Sequence, residues 1–260
     1  MRRRFFVQEF EAGWAILRGE AAQHLGRVLR AETGQLYELS NGQCVWLART
    51  ERVDRDEIRF SLVEELPAPV AAVRIELLLA IVKFDRFEWA LEKATELGAE
   101  EIVPLAAERS EKGLIAAAGK RAERWKRVLA ESAQQARRLR TPDLKGAARP
   151  HDAFRASAAQ LKLLLSERAG ARPLREVLEP VALARGNKDA ARVAIAIGPE
   201  GGWTDAEFAS ADACGFVKAA LGTNILRTET AVCAALAAVQ YAFGAFRPGN
   251  TDGDAIASES

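Results

Sequence analysis

The fold can be predicted from two segments, GPEGGWTDAEF at residues 198–208 and LGTNILRTETA at residues 221–231. Each follows or overlaps a short apolar run typical of a buried strand, RVAIAIG at 192–198 and FVKAALG at 216–222. Each also leads into a helical pattern, and Thr204 with Glu207 forms a capping box at the start of the first helix. In open parallel sheets, ligands bind at the carboxyl ends of the strands, which is where both loops are expected to lie.

The same alternation of strand and helix extends back to residue 73. VRIELLLAIV at 73–82 is a continuous apolar run, as expected of a parallel strand buried on both faces. A helix follows, with Asp85 as its predicted N-cap, Gly98 just beyond its end, and Phe87, Ala90, Leu91, Ala94 and Leu97 on one face. Further strands are predicted at 100–105 and 161–166, and further helices at 120–138 and 227–246. This part of the chain is therefore predicted to be α/β with a mainly parallel sheet.

Residues 1 to about 66 have a different pattern of short apolar or alternating runs separated by turn signals. The Asn41-Gly42 dipeptide predicts a hairpin turn, and one short helix is expected at 20–31. Many short strands around a small core indicate a barrel-like module, with a boundary at Pro67 and Pro69. The polar tail after Pro248 is expected to be disordered.

Composition and charge exclude several classes of protein. The 260 residues include 37 Lys and Arg against 36 Asp and Glu, which excludes a uniformly basic coat for nucleic acid. The segment 109–149 nevertheless holds twelve basic against four acidic residues, a local net charge of +8. Three widely spaced cysteines without a CxxC pair make a disulfide framework and a zinc ribbon implausible, and favour a cytoplasmic setting. The start lacks the apolar core of a secretory signal, and the longest apolar stretch, 231–246, is too short for a bilayer span.

The two loops are the best candidates for chemistry. The chain has neither GxxxxGK[ST] nor GxGxxG, but three glycines in 198–202 let the backbone turn sharply and approach a ligand. Glycine density alone fits a structural turn equally well. The second loop concentrates Asn224, Arg227, Thr228, Glu229 and Thr230 beside an apolar helix, so these groups need partners or a ligand. A threonine N-cap would account for one of them and leave Arg227 and Glu229 unexplained.

The two histidines, His24 and His151, offer no metal pair and no nucleophilic triad, so we expect neither a metal nor hydrolytic chemistry.

GPEGGWTDAEF at 198–208 and LGTNILRTETA at 221–231, in this order and spacing, resemble the RsmE family of S-adenosylmethionine-dependent methyltransferases. Three more stretches match the family pattern: KATELGAEEIVPLAAERS at 93–110, ESAQQARRLRTPDL at 131–144 and HLGRVLRAETG at 24–34. Two positions depart from it, because Thr223-Asn224 stands where Pro-Arg is common and Arg137 where Gly is common.

The resemblance implies methylation of a uridine at ring nitrogen 3 in small-subunit (16S) ribosomal RNA. The implied layout is a PUA-like β-barrel RNA-binding domain at 1–70, a SPOUT methyltransferase domain with a C-terminal trefoil knot at 73–246, and a tail at 247–260. A cytoplasmic homodimer without metal or membrane contact is also implied. The cofactor would lie among three loops, with these residues around it: Leu165, Ser166, Ile197, Gly198, Pro199, Glu200, Gly201, Gly202, Leu221, Gly222, Ile225, Leu226, Arg227 and Thr228.

The chemistry and the charge pattern suggest further roles. Uridine nitrogen 3 must lose a proton, so we expect Arg227 to stabilise the anion and Glu229, or less favourably Glu200, to accept the proton. The residues predicted to contact RNA are His24, Arg27, Arg30, Arg137, Arg138 and Arg140. The alternative interpretation of Arg137, Arg138 and Arg140 is that they belong to a solvated, charged helix face and contact no RNA. Three alternatives stay open: methylation of another RNA position such as a ribose 2′-hydroxyl, a non-catalytic RNA-binding or ribosome-assembly factor, and an unrelated α/β enzyme that binds phosphate at 198–202.

Overall fold

A computed structural model describes residues 4–68, 71–185 and 190–244, which form two β-sheets with associated helices. The first sheet has six strands: β1 (Arg4–Phe6), β2 (Phe10–Glu11), β3 (Trp14–Arg18), β4 (Leu36–Ser40), β5 (Val45–Val53) and β6 (Glu57–Leu66). Their order is β1-β4-β5-β6-β3-β2. The β1–β4 pair is parallel and the other pairs are antiparallel.

The local sequence explains this small sheet. Its core includes Phe5, Leu39 and Phe60 of the strands and Leu25 of the helical segment between β3 and β4, all of them buried. The predicted hairpin turn is confirmed: Gly42 has φ 86°, and Asn41 Oδ1 accepts hydrogen bonds from the backbone N–H groups of Gln43 and Cys44. The predicted helix is shorter than 20–31, with α1 (Glu20–Gln23) continuing in a π-helical turn (His24–Val28).

The second sheet has seven strands, all parallel: β7 (Val73–Ala80), β8 (Ala99–Leu105), β9 (Asp143–Leu144), β10 (Leu161–Leu165), β11 (Arg172–Pro173), β12 (Ala191–Ile197) and β13 (Val217–Ala220). Their order is β11-β13-β10-β12-β7-β8-β9. Six helices accompany them: α2 (Phe84–Glu96), α3 (Lys112–Gln135), α4 (Pro150–Ala156), α5 (Leu174–Arg185), α6 (Asp205–Ala213) and α7 (Thr228–Ala242). The prediction of an α/β fold with a parallel sheet is confirmed.

Helices cover both faces of this sheet, which explains its continuous apolar strands. Ile75, Leu77 and Leu79 of β7 pack with α2, α3, α5 and α7, whereas Leu78 and Ala80 pack with α4 and α6. The strand is apolar at every one of these positions because each of its two faces is buried. The predicted inner face of α2 is confirmed, with Phe87 and Leu91 fully buried.

Several boundaries differ from the sequence predictions. The N-cap of α2 is Lys83, and Asp85 lies in the first turn, so the predicted cap was wrong. Helix α3 begins at Lys112, eight residues before the predicted start, because Gly113 and Gly119 do not interrupt it. The predicted final helix ends at Ala242, and the tail at 247–260 lies outside the described residues.

The loop between α3 and β9, residues 136–142, joins the two sheets through hydrogen bonds to the first sheet. Ser40 of β4 donates a hydrogen bond to Leu139 O at 2.6 Å, and Arg4 of β1 donates to Arg137 O. Arg4 also forms a buried ion pair with Glu38 at 2.8 Å. Arg137 has φ 51°, a conformation that glycine adopts more easily than other residues, which fits the glycine that is common at this position in the family pattern.

Candidate functional site

A pocket lies at the carboxyl ends of β10, β12 and β13, where the strand order predicts a ligand site. The structure brings twelve of the fourteen residues predicted to bind cofactor into its lining; Gly201 and Arg227 are outside it. Sequence reasoning missed five other lining residues, which are Glu167, Trp203, Ala219, Asn224 and Ala231. Of these, Trp203, Asn224 and Ala231 belong to the two segments already singled out, so their position in those segments was the available signal.

The first loop of the pocket, residues 198–203, is held by the indole of Trp203. This side chain is buried, and its Nε1 donates a hydrogen bond to Leu165 O at 3.1 Å. A Cβ atom at Gly198 would lie 3.0 Å from Trp203 Cε2, closer than an ordinary carbon contact, so a side chain there would force the loop or the indole to move. Gly202 has φ 69°, and its N–H donates to Pro199 O at 2.8 Å, which closes a tight turn.

Neighbouring segments fix the outer side of the same loop. Arg109 Nη1 donates to Gly201 O at 2.7 Å, and a Cβ at Gly201 would lie 3.2 Å from Arg109 Cβ. The predicted capping box is confirmed: Thr204 Oγ1 accepts from Glu207 N, and Glu207 Oε2 accepts from Thr204 N. The other oxygen of Glu207 accepts from Glu108 N at 2.9 Å, so this buried carboxylate ties α6 to the loop after β8.

The second loop, residues 221–227, is largely exposed and meets the first loop through Thr228. Thr228 is buried, and its hydroxyl donates to Gly198 O at 3.2 Å. It therefore does not cap α7, whose N-cap is Arg227 without a side-chain cap bond. Ile225 is 85% exposed although it lines the pocket, so a bound ligand would find an apolar side chain available there.

A cluster of charged side chains stands beside the pocket. Arg86, in the first turn of α2, forms an ion pair with Glu200 and lies 4.0 Å from Glu229 Oε1 through its Nε. The Glu229 side chain is 14% exposed, and its Oε2 is buried without a hydrogen-bond partner among the described residues. Arg227 is exposed. Sequence reasoning missed Arg86 because a charged residue on an amphipathic helix is typical of a solvated face.

The six residues predicted to contact RNA fall into two groups. His24, Arg27 and Arg30 are exposed on or just after the π-helical turn. Arg137 and Arg140 lie on the loop that joins the sheets, 3.5 Å from Glu38 and 3.3 Å from Glu100.

Arg138 does not fit the predicted RNA contact. Its guanidinium donates to Thr95 O and Ala99 O, and burial lowers its pKa to about 10. Arg138 is thus a structural residue that holds the end of α2.

The described part of the chain contains neither a metal-binding cluster nor a membrane-spanning helix. Within residues 4–68, 71–185 and 190–244 no group of three His, Cys, Asp or Glu side chains could hold a metal ion. No helix in the same ranges is long and apolar enough to cross a bilayer.

Comparisons with known proteins agree with this geometry. Residues 69–240 match the family model described as RNA methyltransferase domain. Two relatives are named ribosomal RNA small subunit methyltransferase E. The one from Synechocystis sp. is 34% identical over 83% of this chain and 69% of its own length. The one from Aquifex aeolicus is 29% identical over 88% and 94%.

Two solved structures cover 93% of this chain and 98% of their own. A putative methyltransferase from Legionella pneumophila, solved with bound S-adenosylmethionine, superimposes with a TM-score of 0.80 at 31% identity. Ribosomal RNA small subunit methyltransferase E from Neisseria gonorrhoeae, also bound to S-adenosylmethionine, gives 0.79 at 27%.

The parallel sheet, the pocket at its carboxyl edge and the matched domain together define the chain as an RNA methyltransferase. The resemblance found in the sequence is confirmed at the level of the family. The chain belongs to the ribosomal RNA small subunit methyltransferase E family, RsmE.

Proposed function

We propose that this protein transfers the methyl group of S-adenosylmethionine to ring nitrogen 3 of a uridine in small-subunit (16S) ribosomal RNA. The observation that carries the proposal is the pocket itself. Three segments far apart in sequence, at 165–167, 197–203 and 219–231, converge there. The last two of these segments carry family motifs, and two structures similar to this one hold S-adenosylmethionine.

The residues of the pocket fit this cofactor. Leu165, Ile197 and Leu221 offer apolar contacts for an adenine ring, and the glycine-rich loop offers backbone groups. Glu167 and Glu200 also line the pocket and complement a ligand that carries a positive charge. When bound, the cofactor supplies an electrophilic methyl group on a sulfonium, so this chain has to align the acceptor nitrogen and manage its proton.

Glu229 is the proton acceptor that the geometry favours. It lies in the first turn of α7, one residue after Thr228 of the pocket, and its buried Oε2 has a free lone pair. Glu200 is more exposed and already paired with Arg86. Arg227 is exposed at the end of the second loop, where it is able to reach a bound uracil and stabilise the anion.

One assay tests the reaction. Small ribosomal subunits from a strain that lacks the protein are incubated with labelled S-adenosylmethionine, and the labelled nucleoside is identified by mass spectrometry. We expect 3-methyluridine. Absence of label while the cofactor still binds would favour the assembly-factor alternative, and competition between phosphate and cofactor would favour a phosphate-binding enzyme.

Methylation of a ribose 2′-hydroxyl is the second candidate. Related folds that methylate ribose usually use an arginine in an early loop, whereas this sequence matches the RsmE pattern in that region at 93–110; the observation that keeps the candidate open is Arg86 of α2, which pairs with Glu200 of the pocket. The nucleoside identified in the same assay separates the two, since a 2′-O-methyl nucleoside would replace the base-methylated one.

Residue roles require separate variants. Arg227→Ala and Glu229→Gln should each lower turnover by about 10²–10⁴-fold, the usual contribution of one acid–base or anion-stabilising group. Cofactor affinity, measured by calorimetry, should change little in Glu229→Gln. Normal turnover in either variant would remove that residue from the mechanism.

The finer architecture is part of the proposal. We propose that the six-stranded sheet is a PUA-like RNA-binding barrel within residues 1–70, and that residues 73–246 form a SPOUT domain with a trefoil knot. The position of β13 between β11 and β10, with α7 returning to pack on α2, is compatible with such threading. His24, Arg27 and Arg30 on the first domain, with Arg137 and Arg140 at the junction, would contact RNA phosphates in a cytoplasmic ribosomal substrate.

A homodimer is supported by the outer face of α2 and α7. Trp89 is 43% exposed and Tyr241 is 79% exposed on these neighbouring helices, and small residues at 234, 237 and 238 would allow close packing. Sedimentation equilibrium should give twice the chain mass, and Tyr241→Asp should shift the protein towards monomer. A monomeric wild type at assay concentrations would refute this part.

A further inference from the structure

Arg86 contacts both carboxylates that we consider as proton acceptors. It lies in the first turn of α2 and is paired with Glu200 of the loop after β12. Its Nε is also 4.0 Å from Oε1 of Glu229 in α7. Three separate segments of the chain, at positions 86, 200 and 229, therefore meet at one guanidinium.

The electrostatics of this cluster require a cation. Glu229 is largely buried, and its second oxygen has no hydrogen-bond partner among the described residues. A buried carboxylate without compensation is costly, and a second carboxylate nearby adds repulsion. The Arg86 side chain is only 28% exposed, so its attraction to both groups is less screened than at a surface pair.

The position of Arg86 separates it from cofactor binding. Neither Arg86 nor Glu229 is part of the pocket lining, whereas Glu200 is. Glu88 of the same helix pairs with Arg121 and Arg124 of α3 and so takes no part in this cluster. Arg86 is thus directed to the catalytic loops rather than to the packing of α2 on α3.

We propose that Arg86 is a positioning residue that holds Glu200 and Glu229 at the pocket and thereby places the proton acceptor for methyl transfer. This inference rests on the proposed function and adds a residue that the family motifs in this sequence did not indicate. Arg86 acts through the two carboxylates, so its loss should affect alignment in the transition state more than binding of the cofactor.

The test compares Arg86→Gln, Arg86→Lys and Glu88→Gln in the full-length protein, with labelled S-adenosylmethionine and small subunits as substrates. We expect Arg86→Gln to lower kcat by about 100-fold, the usual effect of misplacing a catalytic group by an ångström, with KM for the cofactor changed by less than about threefold. Arg86→Lys keeps the charge without the fork and should recover about a tenth or more of wild-type kcat. Glu88→Gln removes ion pairs of the same helix and should retain wild-type kcat.

A double variant adds a test of coupling. If Arg86 works through Glu200, Arg86→Gln combined with Glu200→Gln should be no slower than the slower single variant, because residues that act as a unit are not additive. Melting curves of all variants establish that each is folded.

Four results would overturn the proposal: wild-type kcat in Arg86→Gln, an effect confined to KM for the cofactor, equal losses in the Gln and Lys variants, or additive effects in the double variant. An inactive wild-type protein would instead refute the proposed function.

Discussion

Replacing Gly198 by alanine tests whether the pocket depends on the close approach between the first loop and Trp203. The added Cβ would lie 3.0, 3.1 and 3.3 Å from Cε2, Nε1 and Cδ2 of the indole. Favourable carbon contacts are about 3.5–4.0 Å, so either the loop or the ring must move by several tenths of an ångström. The ring is held by its hydrogen bond to Leu165 O and by edge-on packing against Phe154, with ring centroids 5.8 Å apart. The strain therefore falls on the loop.

We expect Gly198→Ala to lose about 1–3 kcal/mol of stability, the usual cost of overpacking. At about 2–4 °C per kcal/mol for a protein of this size, a loss in the middle of that range lowers the melting temperature by about 4–8 °C. Movement of the loop would also displace Gly198 O from the Thr228 hydroxyl that joins the two loops. Affinity for S-adenosylmethionine should then fall by about tenfold, equivalent to about 1.4 kcal/mol.

Calorimetry and thermal unfolding measure the two effects, with Gly146→Ala as the control. A Cβ at Gly146 meets nothing within 4 Å, so this variant should match wild type. Combining Gly198→Ala with Trp203→Phe, whose smaller ring relieves the clash, should cost less than the sum of the single changes. Wild-type melting and affinity in Gly198→Ala would refute the reasoning.

Four other variants give independent tests. Gly119→Ala, at an exposed site within α3 where a Cβ meets nothing within 4 Å, should stabilise the protein by about 0.5–1 kcal/mol in chemical denaturation. Burial raises the pKa of Glu76 in the folded protein above its ordinary 4.5. Ionised Glu76 therefore lowers the free energy of unfolding, and this loss grows as the pH rises from 4.5 through the pKa of the folded state. Below pH 4.5 the loss is absent, because the carboxyl is protonated in both states. Glu76→Gln should therefore melt higher than wild type near neutral pH and lose this advantage in acid; a gap independent of pH would contradict this. Arg140→Ala should reduce the salt slope of RNA binding by about one with little change in melting, whereas Arg138→Met should lower the melting temperature because two backbone carbonyls lose their donor.

The pattern of apolar residues was sufficient to predict an element where one helix face or a whole strand is buried. The face of α2 and the strands β7, β8, β10 and β12 were predicted within about two residues, because burial alone determines those patterns. Helix α5 was not predicted, since Pro180 lies inside it, and burial of Leu174, Val177 and Leu178 outweighs the lost backbone hydrogen bond. Strand order depends on pairing across the sheet, which periodicity does not encode.

In the candidate site, too, the local sequence predicted the loop residues, whereas contacts between distant segments were not predicted. Loop residues such as Gly198 and Thr228 were predicted from glycine density, polar content and family motifs, and the structure brings them to one pocket. Arg86 was missed because its partners are more than a hundred residues away in sequence. Arg138 was assigned to RNA because an exposed arginine and one that reaches backbone carbonyls look the same in a basic run.

The loop that joins the two sheets has a consequence for how such proteins diverge and can be recombined. Arg4 and Ser40 bind the main-chain oxygens of residues 137 and 139, so these two contacts depend on the backbone path of the loop and not on which side chains it carries at those positions. The backbone requirement at position 137 is a positive φ, which glycine meets most easily, and the Arg137 side chain adds an ion pair with Glu38. A chimaera that takes its N-terminal sheet from another member of the family should therefore assemble correctly if the donor supplies equivalents of Arg4, Glu38 and Ser40 and the recipient loop keeps its backbone conformation.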